Sequence, residues 1–66
     1  MQIQLNGETK TVDAGSSLLQ LIDQLELTGK RIAVEINEDI IPRSEHADTR
    51  LQEGDRIEIV HAIGGG

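Results

Sequence analysis

Ser17-Leu18-Leu19-Gln20-Leu21-Ile22-Asp23-Gln24-Leu25-Glu26-Leu27 is the stretch of this chain with clear helical periodicity, and its surroundings decide the fold. Leu18, Leu21, Ile22 and Leu25 recur at i, i+3, i+4 and i+7, which lines one face of an α-helix with apolar side chains. Ser17, followed three residues later by Gln20, has the Ser-x-x-Gln form of a capping box, in which each side chain satisfies a backbone N–H at the helix start. Asp23, Gln24 and Glu26 fall on the water side. Thr28-Gly29 is read as the helix end, with Gly29 as a left-handed cap, because glycine has no Cβ to clash at positive φ. Leu27 then folds the exit back onto the core. The adjacent Ser16 and Ser17 invite a nucleophile reading, but no base or oxyanion arrangement accompanies them, and capping accounts for them better.

On the N-terminal side of the helix, Met1 to Leu5 alternates apolar and polar residues, the period of a half-buried strand. Asn6-Gly7 follows, a strong hairpin signal because both residues tolerate positive φ. Glu8 to Val12 returns as a second strand. A two-residue turn pairs Leu5 with Glu8 and Met1 with Val12, and sets Lys10 opposite Ile3. Asp13-Ala14-Gly15 breaks this strand before the helix. On the C-terminal side, Arg31 to Asn37 alternates again, with Ile32, Val34 and Ile36 on one face. Asn37-Glu38-Asp39 turns the chain, and Ile40-Ile41 is read as a short fourth strand stopped by Pro42. Arg43 to Arg50 is polar, with a helical turn around Ser44 to Ala47. Leu51 anchors a loop that turns at Gly54, and Ile57-Glu58-Ile59-Val60 is the last strand, with both isoleucines inward. His61-Ala62-Ile63 reads as a hinge into Gly64-Gly65-Gly66.

Sixty-six residues make one domain near the lower size limit for folding without staples. The chain has no Cys, Phe, Tyr or Trp, so nine Ile, seven Leu and three Val must supply an aliphatic core. Twelve acidic residues against six basic ones give a net charge of −6. An acidic domain is repelled by phosphate backbones and anionic lipid, which argues against nucleic acid and membrane as partners and for a protein with a basic patch. Residues 1–6 have neither the basic start nor the apolar run of a signal peptide, and no apolar stretch reaches membrane-spanning length. The expected location is the cytoplasm. Glu35, Glu38 and Asp39 match no oxygen-ligand loop. His46 and His61 have no Cys or third His beside them, so each reads as an ordinary loop or strand-end residue, with no metal and no bound cofactor expected.

Gly64-Gly65-Gly66 is the feature that carries chemistry. Extended, Ala62 to Gly66 would span roughly 17 Å, enough to enter a recessed site on another protein. The Gly66 α-carboxylate, with an ordinary pKa of about 3.5, would be its ionised end. A frayed terminus or a linker remnant is the plain alternative for the same residues.

The order strand, hairpin, strand, helix, strand, short strand, helical turn, strand is that of a β-grasp, or ubiquitin-like, α+β roll. In it a mixed sheet of about four to five strands packs on one helix. The chain resembles the ThiS family, the small sulfur carriers of thiamine biosynthesis. The resemblance is carried by residues 1–7, by Ala14-Gly15-Ser16-Ser17 at the helix entry, and by Ala33-Val34-Glu35-Ile36-Asn37. Ile40-Ile41-Pro42-Arg43, Gly54-Asp55-Arg56-Ile57-Glu58-Ile59 and the glycine terminus complete it. It covers essentially the whole chain, and Gly64 extends the Gly-Gly ending by which the family is described.

The resemblance implies a protein cosubstrate, not an enzyme. An E1-like adenylyltransferase of the ThiF type would use ATP to convert the Gly66 carboxylate into an acyl adenylate. A sulfur donor, such as one fed by a cysteine desulfurase, would displace AMP and leave a thiocarboxylate. Thiazole synthase, of the ThiG type, would then take the sulfur. Gly66 would be the modified residue, Gly64 and Gly65 the tail, and residues 62–66 together a flexible segment. Ile41, Val60 and Ile63, rimmed by acids, are the expected partner interface. Two other readings stand beside this one: another β-grasp sulfur carrier, such as the small subunit of molybdopterin synthase, and a ubiquitin-like interaction module that carries no sulfur.

Overall fold

In the computed structural model, which describes residues 1–62, the chain forms β1 (Gln2–Leu5), β2 (Glu8–Thr11), α1 (Leu18–Gln24), β3 (Ile32–Ile36), β4 (Asp39–Ile40) and β5 (Arg56–His61). A single 3₁₀ turn, Arg43–Glu45, lies between β4 and β5. The strands make one mixed sheet in the order β2-β1-β5-β3-β4. The last strand thus lies between the two hairpins, parallel to β1 and antiparallel to β3. This is the expected α+β roll.

The first hairpin has the register its turn dictates, with Leu5 opposite Glu8 and Ile3 opposite Lys10. Asn6 and Gly7 both sit at positive φ, 50° and 84°, the signature of a type I′ turn whose twist suits two-residue hairpins. Met1 and Val12 close the ladder reciprocally: the Val12 amide donates to Met1 O at 2.9 Å and the Met1 amino group to Val12 O at 2.8 Å.

The helix packs Leu18, Leu21 and Ile22 against Ile3, Val34, Ile36, Ile57 and Ile59, with Val12 and Leu51 at the margins of the same core. Its capping box is formed as read from the sequence, with Gln20 N donating to Ser17 Oγ at 3.1 Å and Ser17 N to Gln20 Oε1 at 2.8 Å. The polar loop after the 3₁₀ turn completes the cap, because Leu18 N donates to Thr49 O and Leu19 N to His46 O.

Four details differ from the sequence reading. The helix ends earlier than Thr28-Gly29: Glu26, at φ 61°, is the left-handed residue of a Schellman motif, with Leu27 N donating to Ile22 O and Glu26 N to Asp23 O, both at 3.0 Å. Gly29, at φ 82°, instead serves a separate tight turn that Lys30 N closes onto Leu27 O. The fourth strand is Asp39–Ile40, one residue earlier than Ile40-Ile41, because Asn37 and Glu38 take both left-handed positions of a two-residue turn. His61 belongs to β5 and pairs with Ile32, so it is not part of a hinge. His46 is no ordinary loop residue: it is 6% exposed, and its Nε2 lies 3.1 Å from Ile41 O. A carbonyl can only accept, so that nitrogen carries the proton. No helix among the described residues is long and apolar enough to cross a membrane.

Candidate functional site

β5 is held on both sides, by β1 and by β3, so its direction and its exit point are fixed by two ladders. Ile57 and Ile59 point into the core, and Arg56, Glu58 and Val60 therefore project from the opposite, outer face of the sheet. At the end of the strand, Ala62 N donates to Arg31 O at 3.0 Å. The described fold thus delivers the chain to one end of the sheet, beside the start of β3. Gly64, Gly65 and Gly66, the residues read as carrying chemistry, lie outside the described residues, as does Ile63.

The outer face beside that exit carries two exposed apolar side chains with acidic ones between them. Val60 is 59% exposed and sits opposite Ala33, while Ile40 is 75% exposed and sits opposite Glu35. Of the apolar residues expected at an interface, Val60 is therefore exposed on this face. Ile41 is turned inward, partly buried against the core, with its amide bonded to Val34 O at 2.9 Å. Ile40 takes the outward place. Two adjacent isoleucines on a strand must point to opposite faces, and the two-residue turn at Asn37-Glu38 decides which one faces out.

Glu35 and Glu58 are direct cross-strand neighbours, a like-charge pairing that destabilises a sheet locally. With Glu38, Arg56 and Gln4 they line a shallow depression of about 200 Å³. A cation supplied by another molecule would relieve that repulsion. Among the described residues, no group of three His, Cys, Asp or Glu side chains is placed to hold a metal ion. His46 has its ring committed to Ile41 O, in the core and away from this face.

The ThiS family model matches residues 3–66. The chain belongs to the ThiS family. Among individual relatives, this ThiS-family chain is 35% identical to the sulfur carrier protein ThiS of Escherichia coli, over all of both chains. It superposes on the crystal structure of the thiamine biosynthesis protein ThiS of Geobacter metallireducens with a TM-score of 0.86, at 28% identity and with both chains fully covered. It is also 42% identical, over its whole length, to part of a thiazole synthase of Magnetococcus marinus. In that case the chain spans only 20% of the relative's length, so the likeness concerns one segment of a much larger protein.

Proposed function

We propose that this protein carries sulfur for thiazole formation in thiamine biosynthesis, as a cosubstrate that other enzymes load and unload. The observation that carries the reading is the end-to-end match with the E. coli sulfur carrier, 100% of both chains. The reactive group is the Gly66 carboxylate. An E1-like, ThiF-type adenylyltransferase joins it to the α-phosphorus of ATP, releasing pyrophosphate. The terminal sulfur of a donor persulfide, such as one formed on a cysteine desulfurase, then attacks the acyl carbon and AMP leaves; a thiol reductant cleaves the resulting acyl disulfide, and a C-terminal thiocarboxylate remains. Thiazole synthase, of the ThiG type, receives that sulfur. A glycyl terminus suits these steps because no side chain hinders approach to the carboxylate. The chain has no cysteine, so no internal thiol competes for the sulfur.

The outer sheet face is the surface we assign to the adenylyltransferase. Exposed apolar side chains, Val60 and Ile40, set among charged ones suit a transient interface. The test of the function is intact mass spectrometry, after incubation with an adenylyltransferase, ATP and a sulfur source. The expected product is heavier by the exchange of one oxygen for one sulfur, placed by fragmentation at Gly66. A chain that never gains this mass is not a carrier.

A further inference from the structure

The helix side of the molecule carries a second surface of opposite character. Leu19, Ile22, Leu27 and Ile32 line a groove of about 330 Å³ between one side of α1, the loop that follows it, and the 3₁₀ turn. Leu19 is 38% exposed within it, and its rim carries Lys30 and Arg43. Arg43 is not a loose surface cation. Its Nη2 donates to Lys30 O at 2.9 Å, which fixes the guanidinium across the groove and leaves its other donors available. With Arg31, three of the six basic residues of a chain of net charge −6 lie at this end. The groove also adjoins the exit of β5, because Ile32 pairs with His61 and Arg31 O accepts from Ala62 N.

We infer that this groove docks a segment of thiazole synthase that presents an apolar side chain flanked by carboxylates. The inference rests on the proposed sulfur-carrier function. The apolar floor selects the side chain, and the paired cations select the flanking acids. The outer face, bordered by Glu35, Glu38 and Glu58, would repel the same segment. A carrier with two faces of opposite sign can present one to the enzyme that loads it and the other to the enzyme that unloads it. Thiazole synthase is the occupant to name because the M. marinus enzyme holds a segment like this chain within its own polypeptide, which ties such a domain to such an enzyme covalently.

The experiment measures binding of the full chain to purified thiazole synthase by interferometry. K30E/R43E is compared with a charge-matched control, K10E/R50E, which shifts net charge by the same amount at other places, and L19D is compared separately with the unaltered chain. The proposal expects both groove variants to lose about tenfold or more in affinity, with the control nearly unchanged. L19D keeps the test decisive should K30E/R43E fold poorly. Equal affinity in all proteins overturns the proposal, as does an equal loss in the control or no binding by the unaltered chain. Groove variants that lose adenylation while keeping thiazole synthase binding overturn it too. Thiocarboxylate formation on the same proteins, read by mass, separates a wrong groove from a wrong function: unaltered protein that gains sulfur leaves the carrier reading standing whatever the binding result.

Discussion

Asn6 bears two burdens at once. Its backbone supplies the first left-handed position of the hairpin turn, and its side chain reaches the central strand 53 residues away. Ile59 N donates to its Oδ1 at 2.9 Å, and its Nδ2 donates to Ile59 O at 3.2 Å. The carboxamide thus acts as one more peptide unit beyond the end of β1, extending the parallel ladder to Ile59. Asn6→Ala should cost about 2 kcal/mol in urea denaturation, combining two lost hydrogen bonds with an alanine forced into positive φ. Asn6→Gly removes the strain but not the lost bonds, and should cost less. Equal stability of Asn6→Ala and the unaltered protein would refute the double role. The turn was legible from Asn6-Gly7, because that dipeptide fixes local backbone geometry. The bond to Ile59 was not, since nothing local marks a contact made by a side chain across the whole chain. Similarly, His46 lacks any sequence neighbour that announces its burial, which comes from the 3₁₀ turn folding over the start of the helix, where His46 O accepts from Leu19 N.

The helix shows how an element's start can be readable and its end misleading. Its start depends on two side chains three residues apart, and Ser17 and Gln20 form the box their spacing implies. Ser17→Ala should cost about 1 kcal/mol of stability, measured by chemical denaturation. Its end depends on where the apolar exit residue finds the core. Leu27 packs back on the core, and its amide reaches Ile22 O, so the left-handed position falls on Glu26 although Gly29 stands three residues further on. Tertiary packing overrides the glycine preference here, at a cost. A glutamate in the left-handed region is strained, and its charge opposes the negative end of the helix dipole. Glu26→Gly should therefore stabilise the domain by about 0.5–1 kcal/mol, a rise in urea midpoint with unchanged slope. A loss of stability in that variant would place the left-handed strain elsewhere.

At the scale of the whole molecule, the described fold and the proposed chemistry occupy separate parts of the chain. The buried core runs from Ile3 to Ile59, and the last recorded backbone bond belongs to Ala62 among the described residues. The strands themselves could be expected from the alternation of apolar residues, whereas their order in the sheet and the two surfaces of opposite sign could not. Which of Ile40 and Ile41 faces out, and how Lys30, Arg31 and Arg43 gather, depend on register and on chain crossing. Apolar contact on the outer face should hold the adenylyltransferase, so Val60→Ser with Ile40→Ser should slow adenylation, measured by ATP–pyrophosphate exchange, without lowering the melting temperature much. Deleting Gly65 and Gly66 provides the sharper separation. No core side chain and no described hydrogen bond is removed, so the truncated protein should melt like the full-length one. It should nevertheless support no adenylation, because its carboxylate no longer reaches the α-phosphorus, where small displacements already cost large factors in rate. One bulky residue added after Gly66 should do the same by blocking the approach. Calorimetry and pyrophosphate exchange on both variants decide the point. Full exchange from either one would mean that the glycine terminus is not the reactive group, and the carrier function would fall with it.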